Sequence, residues 1–489
     1  RFKRRLEKSR AYEEDKYFGN PSQFVHKLKF SSAELGFNGL VEKEPGEPNY
    51  SDNLKGNIIY NKNNRYRLIL GNFKLNSYTG MLQKEGFSFD QYIFRYSKNF
   101  ADFTKTSLST IDFFGYNGIS GYYQTGNNRL NVFYGRKYIS ATLDDYDRIK
   151  TVNLYAYART ENEMGRYLNS YHEVKGAAIE GRISDLSYGL SLSQENFDRQ
   201  ISSDSNLSEA VLSEIFISAV RGKWRLRFDG ATNFDKTDIK LNAVVRTKDL
   251  TTDIIYGYIQ KDRFSLTSPG MMFGNGEREQ AFGLKFKAAP FKRTVFISEN
   301  IIYSSKQSGT DLTGAVFSFK TNIRINNTVF EPSFRYKSKE SADDVFMFEE
   351  NTQYQTRLKI VHDAGPLSFS SDIKYVDDQT KAFGYIFGYA LYYRDDFFRL
   401  KIGGDIYYSK NGTMLYSSYV DTGKYPGLYS FSGSGRKVYL MTGYSDKRYE
   451  ILAGISRHKT EDGETFGSGY DTIYSDTVHT VEVNFSFTF

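Results

Sequence analysis

The chain has 489 residues, with 65 Lys and Arg against 58 Asp and Glu; its net charge of +7 is too mild and too dispersed to predict nucleic-acid binding. Mean hydropathy is −0.55 and no run approaches the ~18 consecutive apolar residues of a spanning helix, which excludes a helical membrane protein. The absence of cysteine excludes disulfides, thiolate metal sites and Cys nucleophiles together.

A β-barrel escapes the hydropathy argument, because only every second residue of its strands faces lipid. The 40 Tyr and 40 Phe, against one Trp and eight Pro, suit long pleated strands and aromatic belts at membrane interfaces. Residues 1–22 read as a charged periplasmic lead-in, extended or with a short helix. No apolar h-region follows Arg1-Phe2-Lys3-Arg4-Arg5, so the chain is expected to be a mature or truncated form whose export signal is gone.

From Gln23 strand-like segments follow one another, and residues 23–489 are expected to form one outer-membrane β-barrel. Phe24, His26, Leu28 and Phe30 alternate with Val25, Lys27 and Lys29, which is the two-residue period of a strand. Leu35, Phe37 and Gly39 lead to a charged stretch from Glu42, where Pro45 and Pro48 end pairing in a loop. Leu54–Lys62 and Arg65–Asn76 meet at the polar turn Lys62-Asn63-Asn64. Residues 77–114 hold Phe87, Phe89, Tyr92, Phe94, Tyr96, Phe100, Phe103, Phe113 and Phe114, too many aromatics for a freely solvated loop. That stretch is expected to add strands, or to pack in the lumen or against a partner.

His172, in Asn169-Ser170-Tyr171-His172-Glu173, is the best-placed loop histidine for chemistry. A hydrolase would need a carboxylate holding it beside a nucleophile, and the adjacent Glu173 is expected to point elsewhere. His26 and His479 fall in the predicted first and last strands, which would pair in a closed barrel. No His-Glu-x-x-His, Gly-x-Ser-x-Gly or P-loop pattern occurs.

Ile215, Ile217 and Ala219 alternate up to the turn Arg221-Gly222. Trp224, Leu226 and Phe228 then face opposite to Lys223, Arg225, Arg227 and Asp229. So charged a second face needs water, which a barrel lumen supplies and a sandwich core does not. Ser268–Gly276 reads as a flexible loop with an apolar centre that packs on neighbouring loops, with a small partner-docking patch as the alternative. Phe383, Tyr385, Phe387, Tyr389, Leu391 and Tyr393 form an aromatic stripe, reversed by Arg394-Asp395-Asp396 into Leu400, Ile402, Gly404, Ile406 and Tyr408, opposite Arg399, Lys401 and Asp405. The acidic stretch from Glu461 to Asp471 lacks EF-hand spacing and reads as a solvated loop. In the closing segment Val481, Val483, Phe485, Phe487 and Phe489 are expected to face the membrane, opposite Glu482, Asn484, Ser486 and Thr488.

Alternation gives an all-β transmembrane antiparallel barrel of about 24 strands (22–26), an even number being expected when both ends are periplasmic. Turns sort into short ones, near 62–64, 126–128, 221–222 and 394–396, and long ones, at 45–53, 77–114, 159–172, 265–277, 340–350, 411–434 and 461–476. In such barrels the short turns are periplasmic and the long loops external.

Tyr17-Phe18-Gly19-Asn20-Pro21, Gly39–Glu47, Leu70-Gly71-Asn72-Phe73-Lys74-Leu75 and Asn131–Lys137 occur in an order and spacing that resembles a family of large Bacteroidota outer-membrane proteins. In that family the barrel follows an N-terminal helix-hairpin-helix segment, absent from this sequence. Leu70-Gly71-Asn72-Phe73 stands where the family has Leu-Gly-Asp-Tyr, and Tyr78-Thr79-Gly80-Met81-Leu82 where Gly-Gln-Gly-Leu is usual. The resemblance covers about a quarter of the chain and implies location and fold rather than an activity.

The expected function is that of a non-enzymatic barrel, acting as a pore or as the membrane subunit of an envelope complex. The alternatives are a plugged interaction barrel without transport, or an uptake channel for DNA or another macromolecule. Selectivity would come from luminal Lys223, Arg225, Arg227, Arg399 and Lys401, with a modest preference for anions. No catalytic, cofactor or metal site is expected. The expected partners are outer-membrane lipid and lipopolysaccharide, the barrel-assembly machinery during insertion, and other envelope proteins or lipoproteins, with no nucleic acid.

Overall fold

The computed structural model describes residues 1–489 apart from 51–52, 64, 80–102, 112, 154–155, 203–207, 234–235, 261–277, 308–309, 344–346, 379–381, 412, 421–425, 447, 462, 464, 467–470 and 488–489. Six of the aromatics between 80 and 102, the apolar centre of the 268–276 loop and Phe489 therefore lie outside the described residues.

One antiparallel sheet of 24 strands closes on itself as a barrel. Each strand pairs with its sequence neighbours, and the first, Phe2–Arg5, bonds both Ser22–Ser31 and Thr477–Phe487. The opening basic run is thus part of the wall rather than a lead-in, and it stands between the strands of His26 and His479. Its luminal Lys3 meets Glu482 of the last strand at 3.0 Å.

Alternation along each strand sorts the faces. On Asn128–Leu143 the residues Leu130, Val132, Tyr134 and Tyr138 point outward and exposed, while Asn131, Phe133 and Lys137 are buried inward. A soluble protein would not leave such an apolar exterior, whereas lipid covers it. Val483, Phe485 and Phe487 lie on this outer face, Phe485 57% exposed. Opposite residues of paired strands share a face, so the register carries the inside–outside assignment around the wall.

Short turns gather at one end. Gly126, Ser184, Gly222, Asn326 and Gly365 take the left-handed conformation there, which matches the twist of tight hairpins. Longer turns use a side chain instead. Asp395 Oδ1 accepts from the N–H groups of Phe397 and Phe398 (2.8 and 2.6 Å), and Asp446 Oδ1 from those of Arg448 and Tyr449 (both 2.7 Å). The long connections 6–21, 44–52, 144–169 and 461–476 lie at the other end.

Three expected loops are shorter than predicted. The strand Leu35–Lys43 includes Glu42 and Lys43, the strand Ser170–Ile183 includes His172, and Glu340–Asp343 continue the ladder by pairing with Met347–Glu350. Propensity and turn signals mark such ends only loosely, while ladder hydrogen bonding extends wherever the partner strand continues.

Candidate functional site: the lumen

Two segments fold inward. Residues 77–79 and 103–115 line the inner wall: Thr104–Thr106 pairs with Phe73–Leu75, and Tyr78 and Phe103 pack on Phe133 and Phe216. Of the nine aromatics counted there Phe103, Phe113 and Phe114 are described: Phe103 packs in the lumen beside the added short strand, and Phe113 lies buried near Ile139 and Leu212. Gly135 makes room, since a Cβ there would stand 2.8 Å from Phe73 Cζ. Lys55 Nζ donates to the carbonyls of Ser109 (2.8 Å) and Ile111 (2.6 Å), and Asn53 Nδ2 to that of Thr110 (3.1 Å). Thr79 Oγ1 donates to Glu214 Oε1 at 2.8 Å. A second hairpin, Leu415–Val420 with Pro426–Phe431, lies on the opposite wall. Phe431 stacks on Tyr407, Ser417 Oγ donates to Asp405, and Lys374 Nζ donates to the Tyr416 carbonyl at 2.6 Å.

The five predicted luminal cations do not form one solvated row. Lys223 sits in the exposed turn before Trp224 rather than on the strand, because the reversal takes two residues there. Arg225 and Arg227 do point inward. Arg227 is fully buried, ion-paired with Asp229 at 2.7 Å, bonded to the Tyr78 carbonyl at 2.8 Å and over the Phe216 ring. It anchors the inner segment instead of facing water. Arg399 pairs with Glu450 at 2.9 Å, and Lys401 lies over the Tyr439 ring.

What the sequence reading missed lies on Thr310–Ile325, Thr328–Asp343, Met347–Ala364 and Leu367–Asp378. Register turns Lys320, Arg335, Lys337, Arg357, Lys359 and Lys374 to the lumen, with Glu331 and Asp372 among them. Lys320 and Lys359 keep 49% and 37% of their side chains exposed. Outward-pointing Phe319, Phe334, Leu358 and Ile373 stand behind. Nothing in the sequence singles these residues out, because only the four-strand register brings them together.

His172 is no loop residue. It is 1% exposed, with Nε2 3.1 Å from Glu195 Oε2 and the ring stacked on Phe197. Glu173 turns outward to Arg136 and Tyr134, as its adjacency requires. Burial of the imidazole among aromatics leaves no space for a substrate, and this arrangement packs the wall.

At the long-loop rim Arg159 joins three connections. Its guanidinium bonds Glu163 (2.8 and 3.2 Å) and Asp471 (3.2 and 3.3 Å), and Tyr17 donates to Asp471 at 2.7 Å. Ala158 N–H reaches Glu47 at 3.3 Å, adding a fourth. Burial lowers the Arg159 pKa, but the carboxylates of Glu163 and Asp471 outweigh it and hold the charge firmly. Burial, then the bond to Asp471, pushes the Tyr17 hydroxyl up.

No known family profile and no curated protein matches the chain. Solved structures of outer-membrane receptors align with the chain at low identity. The siderophore receptor PirA from Acinetobacter baumannii aligns over 96% of this chain and 80% of its own at 8% identity, with a TM-score of 0.46. A variant of the ferric enterobactin receptor PfeA from Pseudomonas aeruginosa covers 95% and 80% at 8% identity (TM-score 0.45). The FrpB iron transporter from Neisseria meningitidis covers 93% and 82% at 8% (TM-score 0.42). The closed sheet with its lipid-facing exterior and charged interior places the chain in the bacterial outer membrane.

Proposed function

We propose that the chain is a non-enzymatic conduit for polar solutes, its lumen narrowed by its own inward segments. One observation carries this reading. The wall from Thr310 to Asp378 keeps charged luminal side chains half-exposed, while the wall opposite is packed with aromatics and buried ion pairs. Charge at membrane depth persists where it is paired, as Arg227 is, or where water reaches it, and the half-exposed Lys320 and Lys359 need the water. Lipid and lipopolysaccharide would cover the outer face, and the barrel-assembly machinery would insert it. Membership of the Bacteroidota family that residues 17–137 resemble is part of this proposal.

A second reading, a plugged membrane subunit of a larger envelope assembly held with other envelope proteins or lipoproteins, is favoured by the docked 103–115 segment. Planar-bilayer recording on protein purified gently from outer membranes separates the two. Steady ohmic steps from the solitary barrel support the conduit. Silence, with stoichiometric companions in the preparation, replaces it by the second reading.

A further inference from the structure

The register of the four strands from Thr310 to Asp378 builds rings of charge. Ser333 stands opposite both Lys320 and Arg357, and Arg357 opposite Lys374, so one ring reads Lys320, Ser333, Arg357, Lys374. The next reads Glu331, Lys359, Asp372. Arg335 and Lys337 lie beyond the first ring on the same strand. Six cations thus meet Glu331 and Asp372, with Asp378 in the row of Lys337.

Like charges placed directly opposite on one face, as Arg357 and Lys374 are, destabilise a sheet. The carboxylates offset this only in part. Asp372 is engaged by Arg357 through two bonds of 2.7 and 2.6 Å. Glu331 is shared by Lys320 at 3.6 Å and Lys359 at 4.0 Å, and takes a bond from Asn322 at 2.9 Å. The lipid-facing aromatic and aliphatic side chains behind form a low-dielectric wall, which focuses the surplus field into the lumen.

We propose that this patch is a binding station for a soluble multivalent oxyanion, a solute carrying two or more phosphate or carboxylate groups. It rests on the lumen being water-filled, as in the conduit reading. Adjacent strands lie about 4.8 Å apart, so Lys320 and Arg357 are separated by roughly 10 Å across the wall. That spread fits a solute with spaced anionic groups better than a single monovalent ion. Arg335 supplies a planar fork that suits oxyanions, Lys320 and Lys359 supply mobile point charges, and Arg357, held by Asp372, adds its charge to the field. The patch faces the lumen and not the bilayer, which selects a dissolved solute over a lipid headgroup.

The test is calorimetric titration of the full folded chain in detergent with pyrophosphate, at low salt. Binding is expected for the native protein, weakened about tenfold in K320Q/K359Q and tightened in E331Q, with K223Q in the turn unchanged. Heat-modifiable gel migration verifies that each variant is folded. Equal binding by native protein and K320Q/K359Q, or an equal loss in K223Q, overturns the station. Binding without conductance upholds the station and sinks the conduit, and conductance without binding does the reverse.

Discussion

His172 and Glu195 meet across the inner wall, Nε2 to Oε2 at 3.1 Å, with the imidazole lying flat on Phe197 at 4.3 Å. Removing the ring takes away a buried hydrogen bond and a stacked contact together. His172→Ala is expected to destabilise the barrel by about 2–3 kcal/mol, and His172→Gln by less. Urea unfolding from lipid vesicles measures both, and equal stability of His172→Ala and native protein would refute a packing role.

Lys55 holds the inner segment through two carbonyls. Lys55→Met leaves the carbonyls of Ser109 and Ile111 without that donor, a loss of about 2–3 kcal/mol from the docking of 103–115. In bilayers the variant should show larger or noisier conductance steps than the native chain. Unchanged steps would mean that this segment does not narrow the path.

Acid should loosen the short turns. The N–H groups of Phe398 and Phe397, then the Tyr393 hydroxyl, hold the Asp395 pKa below its ordinary value. A depressed folded pKa stabilises above the unfolded value of about 4, and that contribution is lost as pH falls through the lower folded value. Asp395→Asn should therefore lower stability at pH 7 and flatten its fall below about pH 4. Thermal melts across that range decide it, and a parallel acid dependence in both proteins would contradict the account.

Arg159 ties the rim, so Arg159→Met should free three connections at once. Protease cutting within 156–169 is expected to become several-fold faster. Tyr17→Phe removes only the bond to Asp471, worth about 1 kcal/mol, and should accelerate cutting less. Identical digestion of all three proteins would show that the rim is held by other contacts.

Alternation alone revealed the barrel, the outward aromatic stripe from Phe383 to Tyr393 and the end at which turns are short, because these depend on neighbours within a strand. The luminal cations were legible only as a face. Arg227 looked solvated until Asp229 and Tyr78, one two residues away and the other far off in sequence, were seen to enclose it. Lys320, Arg357 and Lys374 were unremarked because their grouping depends on which strand lies beside which. The Phe103 and Phe113 packing was anticipated from the number of aromatics, though composition could not say which wall receives them.

The pairing of Phe2 with Val483 joins residues separated by almost the whole chain. Every other neighbour pairing in the wall joins strands linked by a short turn or by one connection such as 76–115 or 144–169, at far smaller loop-closure entropy. This one requires that all intervening hairpins first be in place, which makes it the slowest contact to form and the natural final step of assembly. Until then Phe2–Arg5 and Thr477–Phe487 each present an open edge able to pair with a foreign strand. The period of greatest risk for this protein is therefore the interval before its first and last strands meet, and a catalyst of insertion that shields both edges would govern its yield more than any change in its core.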